Sequence, residues 1–233
     1  MNGCRLSFRN EEDAHAFREH LGSLRQRGSN LLVTGEVSQS VTNRASRTLF
    51  GDDATERKRI LALTDTGVDT VTDHFPDDIE YDEASLRLID CGNKRRAVPR
   101  SETVVDRDLP PLDEQGGLRE LREEIITAIG FYEDAVGGGA PAQIRLCVDS
   151  LNYLVDEYEL VAVKRFVRSI GALIKGVRGM AHFHLSMPDD MAIVQELSPL
   201  FDARIELRHR AGRDPDNRWH VPELEMTTAW VDL

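Results

Sequence analysis

The sequence predicts an α/β protein of three layers, in which a mostly parallel sheet lies between helices and ends in a C-terminal antiparallel edge hairpin. Short apolar runs alternate with longer segments of helical periodicity from residue 30 to residue 200. That alternation is typical of parallel strands joined by crossover helices. Two further strand-like segments, 203–209 and 219–226, flank a turn at 212–217 that contains Gly, Pro, Asp and Asn. This last pair predicts the hairpin.

The individual elements follow from the residue pattern of each segment. Residues 11–27 predict a helix because acidic residues open it, apolar residues recur every three or four positions, and Gly28 follows it. Five short apolar runs predict strands that are buried on both faces: 31–34, 60–64, 86–90, 144–151 and 180–186. Helical periodicity predicts four further helices: one within 36–50 after a loop, then 113–136, 157–175 and 189–199.

The length of 233 residues predicts one domain, residues 1–233, with a substantial core. Residues 1–29 hold the N-terminal helix, and residues 68–112 are a candidate insertion. The composition, 40% apolar and 30% charged residues, is that of a globular protein rather than a disordered one. No apolar run approaches the ~20 residues that a membrane span needs. The first nine residues lack a signal-peptide pattern, so we expect a cytoplasmic protein that binds no membrane.

The net charge of −12 arises from 41 acidic against 29 basic residues. Such a chain disfavours non-specific binding to nucleic acid, because its charge repels the phosphates. Four of the basic residues are lysines and the other 25 are arginines. Many acidic residues with few lysines are typical of proteins from extreme halophiles, since molar salt shortens the Debye length to about 3 Å and screens self-repulsion. A GC-rich coding bias toward arginine is the alternative explanation.

The first apolar strand runs into a segment with the position of a phosphate loop. The motif of such a loop is G-x-x-x-x-G-K-[ST]. Its glycines let backbone N–H groups close on the phosphates, its lysine neutralises them, and its hydroxyl binds magnesium. Counted from Gly35, the second glycine falls on Ser40, the lysine on Val41 and the hydroxyl on Thr42. Valine offers neither a charge nor a donor, so the negative charge of an ATP tail would be poorly compensated here.

Four segments occur in a characteristic order along the chain. They are an N-terminal helix leading into SNLLVTG at 29–35, RILALTD at 59–65, IRLCVDSL at 144–151, and a closing strand, short helix, FDARIELRHR at 201–210 and last strand. This order resembles the RecA/KaiC superfamily of P-loop ATPases, and more closely a degenerate haloarchaeal RecA-like family of unknown function. The resemblance covers residues 12–230 and implies a single RecA-like domain.

The resemblance implies a role for each matching position. The vestigial nucleotide-binding positions that it implies are Gly35, Ser40, Val41, Thr42, Asp149 and Ser150. Among them, Thr42 and Asp149 match the magnesium ligands, while Asp65 matches the catalytic general base, with an aspartate where the family usually has a glutamate. Each residue also has a simpler structural explanation. Thr42 suits a helix N-terminus, Asp149 and Ser150 suit a strand end, and Asp65 suits a turn.

We therefore expect a degenerate RecA/KaiC-like domain without a working phosphate loop. It would be a non-hydrolysing regulatory or scaffold protein that needs no cofactor and binds a protein partner or a second copy of itself. The first alternative is an ATPase with an altered Walker A segment, which binds ATP and magnesium with charge supplied by Arg44, Arg47 or a neighbouring subunit. The second is a DNA-recombination-related binding protein, which requires a basic groove with aromatic stacking residues.

The spacing of histidine and cysteine along the chain predicts no metal site. His182 and His184 alternate on one strand and therefore share a face. No cysteine or third histidine follows them at ligand spacing. Cys4, Cys91 and Cys147 are far apart and odd in number, which argues against a disulfide framework. We expect Cys147 to be a small core residue.

Overall fold

The computed structural model describes residues 11–51, 55–65, 68–75, 84–90 and 116–233. Its helices are α1 (Glu11–Arg27), α2 (Gln39–Phe50), α3 (Gly116–Val136), α4 (Leu151–Glu157), α5 (Leu160–Gly176) and α6 (Ala192–Leu197). Its strands are β1 (Ser29–Thr34), β2 (Lys58–Leu63), β3 (Leu86–Asp90), β4 (Ile144–Val148), β5 (Met180–Leu185), β6 (Ala203–Arg208), β7 (Asp216–Val221), β8 (Met226–Thr227) and β9 (Val231–Asp232). Short 3-10 helices lie at Val68–His74, Ser198–Leu200 and Pro222–Leu224. No helix within these ranges has both the length and the apolar character needed to cross a membrane.

One sheet joins the nine strands of the described residues in the order β3-β2-β4-β5-β1-β6-β7-β8, with β9 paired to β7. The neighbours from β3 to β6 in that order are parallel. By contrast, β7 runs antiparallel to β6, β8 and β9. The predicted mostly parallel sheet with a C-terminal antiparallel hairpin is therefore confirmed. Because β1 lies between β5 and β6, the loop that follows it opens at the middle of the sheet's carboxyl edge.

Helices cover both faces of the sheet, because alternate strand residues point to opposite sides. On one face, Leu32, Ala62 and Val148 pack in a core cluster with residues of α3, α4, α5 and α6. On the other face, Leu31 and Val33 pack with residues of α1 and α2. The predicted three layers follow from this division.

The apolar run predicted as a strand over 144–151 ends earlier than expected. The strand β4 stops at Val148, and a separate helix, α4, begins at Leu151. Leu151 and Leu154 are both buried, so this short helix presents apolar residues as a strand would, and periodicity alone does not separate the two. The long helix predicted from about residue 157 to residue 175 is α5, which begins three residues later because Tyr158 and Glu159 have non-helical backbone between α4 and α5.

The hairpin turn is displaced from its predicted position. Asp216 and Asn217, predicted as turn residues, lie in β7. There the carboxylate of Asp216 accepts a hydrogen bond from Arg210 at 2.9 Å and pairs with Arg208. Aspartate otherwise favours turns, but here its side chain forms these ion pairs within a strand.

Most of the candidate insertion, including residues 91–112, lies outside the described residues, so the prediction of an insertion at 68–112 stays a prediction.

Candidate functional site

The loop between β1 and α2 is short, because α2 already begins at Gln39. Gly35 has a φ of 119°. A Cβ atom there would lie 2.2 Å from the carbonyl oxygen of Leu207 on β6. Only glycine adopts this backbone conformation readily, and the neighbouring strand leaves no room for a side chain. Gly35 is therefore explained by the packing of the end of β1 against β6, without a ligand.

The other three motif positions lie on the first turn of α2 and not in a loop. Ser40 is exposed. Val41 is 3% exposed and packs in the apolar cluster that includes the residues of β1. The hydroxyl of Thr42 lies 3.4 Å from the carbonyl oxygen of Ser38, one turn earlier. The position at which a phosphate loop has its lysine is thus part of the core, and the hydroxyl position contacts its own helix.

Backbone N–H groups of this segment donate to carbonyl oxygens within the protein. Gly35 donates to Met187 at 2.9 Å, and Val41 and Thr42 donate to Ser38 at 3.0 and 3.2 Å. A phosphate-binding cradle needs such donors to point at the ligand. Donors that are already paired gain little from exchanging one acceptor for another, so this segment is a poor anion site.

The end of β4 is tied to the end of β2. The Oδ1 atom of Asp149 accepts the backbone N–H of Thr64 at 2.7 Å and its hydroxyl at 2.8 Å. Asp149 is buried, whereas Asp65, next to Thr64, is exposed. Ser150 is the N-cap residue of α4 and makes no side-chain hydrogen bond in that role. The structure thus places Asp65 and Asp149 just after two neighbouring strands, β2 and β4. Thr42 is on the helix that follows β1, and β5 separates β1 from β4 by about 10 Å at the usual strand spacing.

A cavity of about 530 Å³ opens beside Gly35, at the carboxyl ends of β1 and β6. Ligands of open α/β sheets commonly bind outside the carboxyl ends of the strands. The wall includes carboxylates, among them Glu36 and Asp189, as well as the guanidinium groups of Arg208 and Arg218. Because charges of both signs surround it, the cavity lacks the concentrated positive potential that a polyphosphate requires.

Ion pairs already join several of the charged groups along this edge. Asp189 pairs with Arg204 at 2.8 Å. Glu206 accepts hydrogen bonds from Arg218 at 2.6 Å and from Nε2 of His220 at 2.8 Å. Burial opposes the ionisation of Glu206, but these hydrogen bonds outweigh it and hold the pKa of the carboxyl below its ordinary value. Burial also lowers the pKa of His220.

A second polar group lies beneath α2, and sequence reasoning missed it. Cys147 on β4 and His182 and His184 on β5 have ligand atoms that all lie within 4.8 Å of one another. The two strands are neighbours in the sheet, with Cys147 opposite His182. Residue spacing along the chain does not reveal this neighbourhood; only the order of the strands does. The three side chains are of types that bind transition metals.

The fold is that of an α/β protein with a mostly parallel sheet, in which the segment after β1 is held by core packing and by paired backbone donors. The chain belongs to the family of unknown function DUF7504, which matches residues 28–207. The matched range begins immediately before β1 and ends within β6, so it contains nearly all of the parallel sheet. No curated protein matches the chain.

Proposed function

We propose that this chain is a degenerate RecA/KaiC-like domain that does not hydrolyse ATP and acts in the cytoplasm as a regulatory or scaffold protein. The observation that carries the proposal is Val41. It stands where a phosphate loop has its lysine, yet it is buried in the core beside β1. A lysine at this position would have to leave the core to reach a ligand. The absence of the lysine therefore follows from the way α2 packs on the sheet, and replacing this one residue would not restore a phosphate-binding site.

The surroundings of the loop support the same proposal. Glu36, next to Gly35, is exposed and adds negative charge at the mouth of the cavity. Of the two arginines that could replace the missing lysine, Arg47 donates its Nε hydrogen to the carbonyl oxygen of Asp73 at 2.8 Å. Arg44 is exposed on α2. A bound triphosphate would therefore gain little positive charge from this helix.

Asp149 and Asp65 favour the alternative, an ATPase with an altered Walker A segment. They lie at neighbouring strand ends, where magnesium and an attacking water would be expected by resemblance. The hydrogen bonds that Asp149 accepts count against an ATPase. Its carboxylate already accepts two hydrogen bonds from Thr64 and must exchange them to bind a cation.

Exposed apolar side chains support a role in binding a protein partner or a second copy of the chain. Phe131 on α3 is 50% exposed and Ile126 on the same helix is 41% exposed. Nearby, Arg87 of the edge strand β3 lies 5.3 Å from the centre of the Phe131 ring. Aromatic and arginine side chains are enriched at protein interfaces. Light scattering coupled to size-exclusion chromatography, at several protein concentrations, measures whether the chain self-associates.

The decisive experiment is calorimetric titration of ATP, ADP and GTP with magnesium in molar KCl, together with an ATPase assay. We expect no binding heat and no phosphate release above background. The assay is repeated with Asp149→Ala and with Asp65→Ala, whose side chain is exposed and whose loss should spare the fold. ATP turnover that either substitution abolishes in a folded protein would overturn the proposal and establish the ATPase. Binding of single-stranded DNA would favour the recombination-related alternative.

A further inference from the structure

The buried group beneath α2 brings three ligand-type side chains to one point on the sheet. His182 and His184 share a face because they are two residues apart on β5. The register of β4 against β5 sets Cys147 beside His182. The exposed fractions of Cys147, His182 and His184 are 0%, 3% and 1%. The group is therefore closed off from solvent, as structural metal sites are.

The distances suit a metal ion. The thiol and one nitrogen from each imidazole lie within 4.8 Å of one another. Tetrahedral zinc, with bonds of about 2.3 Å to sulfur and about 2.0 Å to nitrogen, holds its ligand atoms roughly 3.3–3.8 Å apart. Rotamer adjustments of about an ångström would bring the three atoms to that separation. The hydroxyl of Ser46 lies 2.8 Å from Nε2 of His184 and 3.9 Å from Sγ of Cys147.

Unpartnered nitrogens at this place point to a missing ligand. The Nε2 atom of His182 is buried without a hydrogen-bond partner among the described residues. Both ring nitrogens of His74, on the 3-10 helix that packs against α2, are buried in the same condition. Buried polar groups in folded proteins are normally paired, and an unpaired one calls for an explanation such as an ion. The unpaired nitrogen of His182 belongs to the group formed with Cys147 and His184, so an ion bound by that group would supply its partner.

We propose that Cys147, His182 and His184 bind one zinc ion inside the folded core, beside the hydroxyl of Ser46. A thiolate with two imidazoles is a ligand set that suits zinc. The site is independent of the proposed pseudo-ATPase function, because it requires no nucleotide and lies beneath α2 and not at the loop.

The electrostatics of the site are compatible with the ion. Zinc binds imidazole in its neutral form, and the two histidine side chains are buried, which disfavours their charged form. Burial raises the pKa of the Cys147 thiol, and the negative charge of Asp149 raises it further. A zinc ion reverses this, because it deprotonates the thiol that coordinates it.

The test uses the tag-free chain, purified in molar KCl, unfolded with a chelator, and refolded with and without zinc. Metal content is measured by mass spectrometry after removal of free ion, and we expect about one zinc per chain. The melting temperature should be higher in the zinc-loaded protein. Cobalt(II) in place of zinc should give the absorption bands of a tetrahedral site with a thiolate ligand.

Variants locate the ion. Cys147→Ala and His182→Gln should each reduce zinc content at least tenfold and abolish the thiolate-to-cobalt band, whereas His209→Gln, a change at an exposed histidine, should leave both unchanged. Refolded wild-type protein that takes up no zinc would overturn the proposal, and this result does not depend on whether the variants fold. Zinc retained by folded Cys147→Ala would also overturn it, as would uptake of copper with rejection of zinc.

Discussion

Gly35 directly follows β1, lies against β6 and opens the segment whose spacing resembles that of a phosphate loop. Its positive φ and the 2.2 Å separation between a hypothetical Cβ atom and the Leu207 oxygen predict that Gly35→Ala is destabilising. Strain at this conformation and the clash with a backbone atom together should cost about 2–4 kcal/mol of unfolding free energy. Urea unfolding at a fixed KCl concentration measures the change.

The matched control for that substitution is Gly22→Ala. Gly22 is exposed within α1, and a Cβ atom there would meet nothing within 4 Å. Because alanine favours a helix more than glycine does, this variant should gain up to about 1 kcal/mol. Equal effects at both glycines would contradict the close approach of β1 to β6.

Val41→Lys tests whether the loop could be restored by a single residue. We expect the substitution to cost about 3 kcal/mol or more, because it places an unpaired ammonium group in the core, and to create no ATP binding. Ser40→Lys introduces the same side chain one position earlier at an exposed site and should change stability by less than about 0.5 kcal/mol. Thermal unfolding and nucleotide calorimetry on the two variants measure both effects. ATP binding by a stable Val41→Lys protein would show that the site is merely altered.

At the residue scale, the sequence predicted the strand ends at which the candidate residues lie better than it predicted their surroundings. The spacing from Gly35 to Thr42 placed the segment at the end of β1, and the apolar run placed Asp149 at the end of β4. The burial of Val41 on the first turn of α2 left no trace in the motif count. Cys147 was expected in the core and is there, but its position beside His182 depends on a strand order that joins residues 35 positions apart.

Glu206 belongs to the element scale, because it ties β6 to β7 through Arg218 and His220. The pKa of its carboxyl is lower in the folded protein than its ordinary value of 4.5. The stability that it contributes is therefore present above about pH 4.5 and is lost as the pH falls through the folded pKa. Glu206→Gln should lower stability by about 1–3 kcal/mol at pH 7. The loss should shrink as the pH falls below 4.5, and melting temperatures from pH 7 to pH 3 measure it.

The control for this pH dependence is Glu196→Gln. Glu196 pairs with Lys164 at 2.7 Å, but its side chain is more than half exposed. Surface ion pairs contribute little, so this variant should differ from the wild type by less than about 0.5 kcal/mol at every pH. A pH-independent loss in Glu206→Gln would mean that the carboxylate stabilises the hairpin by shape and not by charge.

The limits of helices and strands could be predicted from the sequence where the periodicity of the apolar residues ended at a clear boundary residue. The strand at 86–90 and the helix at 11–27 have the predicted limits. The short helix α4 was missed because its apolar residues continue the run of β4. The hairpin turn was misplaced because Asp216 is a turn-type residue that the hairpin uses for an ion pair with Arg208. At the turn, a tertiary contact overrides the local preference, whereas at α4 periodicity alone does not separate a short buried helix from a strand.

At the scale of the whole molecule, the acidic charge is the property most open to test. The chain carries a net charge of −12, and like charges on a compact surface repel one another. Raising the salt from 0.1 M to 1 M shortens the Debye length from about 10 Å to about 3 Å. Halophilic adaptation therefore predicts a melting temperature that rises with KCl concentration. The partly buried ion pairs of the hairpin should respond less, because they are less exposed to the screening ions.

Charge reversal in the last turn of α3 tests whether repulsion between acidic residues causes this dependence of the melting temperature on salt. Glu133 and Asp134 are exposed there, and that turn contains no basic residue. Acidic side chains at a helix C-terminus oppose the helix dipole by about 0.3–1 kcal/mol each, and salt screens the effect. The double variant Glu133→Lys/Asp134→Lys should melt at a higher temperature than the wild type in 0.1 M KCl. That advantage should largely disappear in 3 M KCl, and scanning calorimetry over the series measures it. The difference in melting temperature between the double variant and the wild type could instead be constant across all salt concentrations. That result would mean that self-repulsion of the acidic residues contributes little. KCl would then stabilise the chain through general exclusion of salt from its surface.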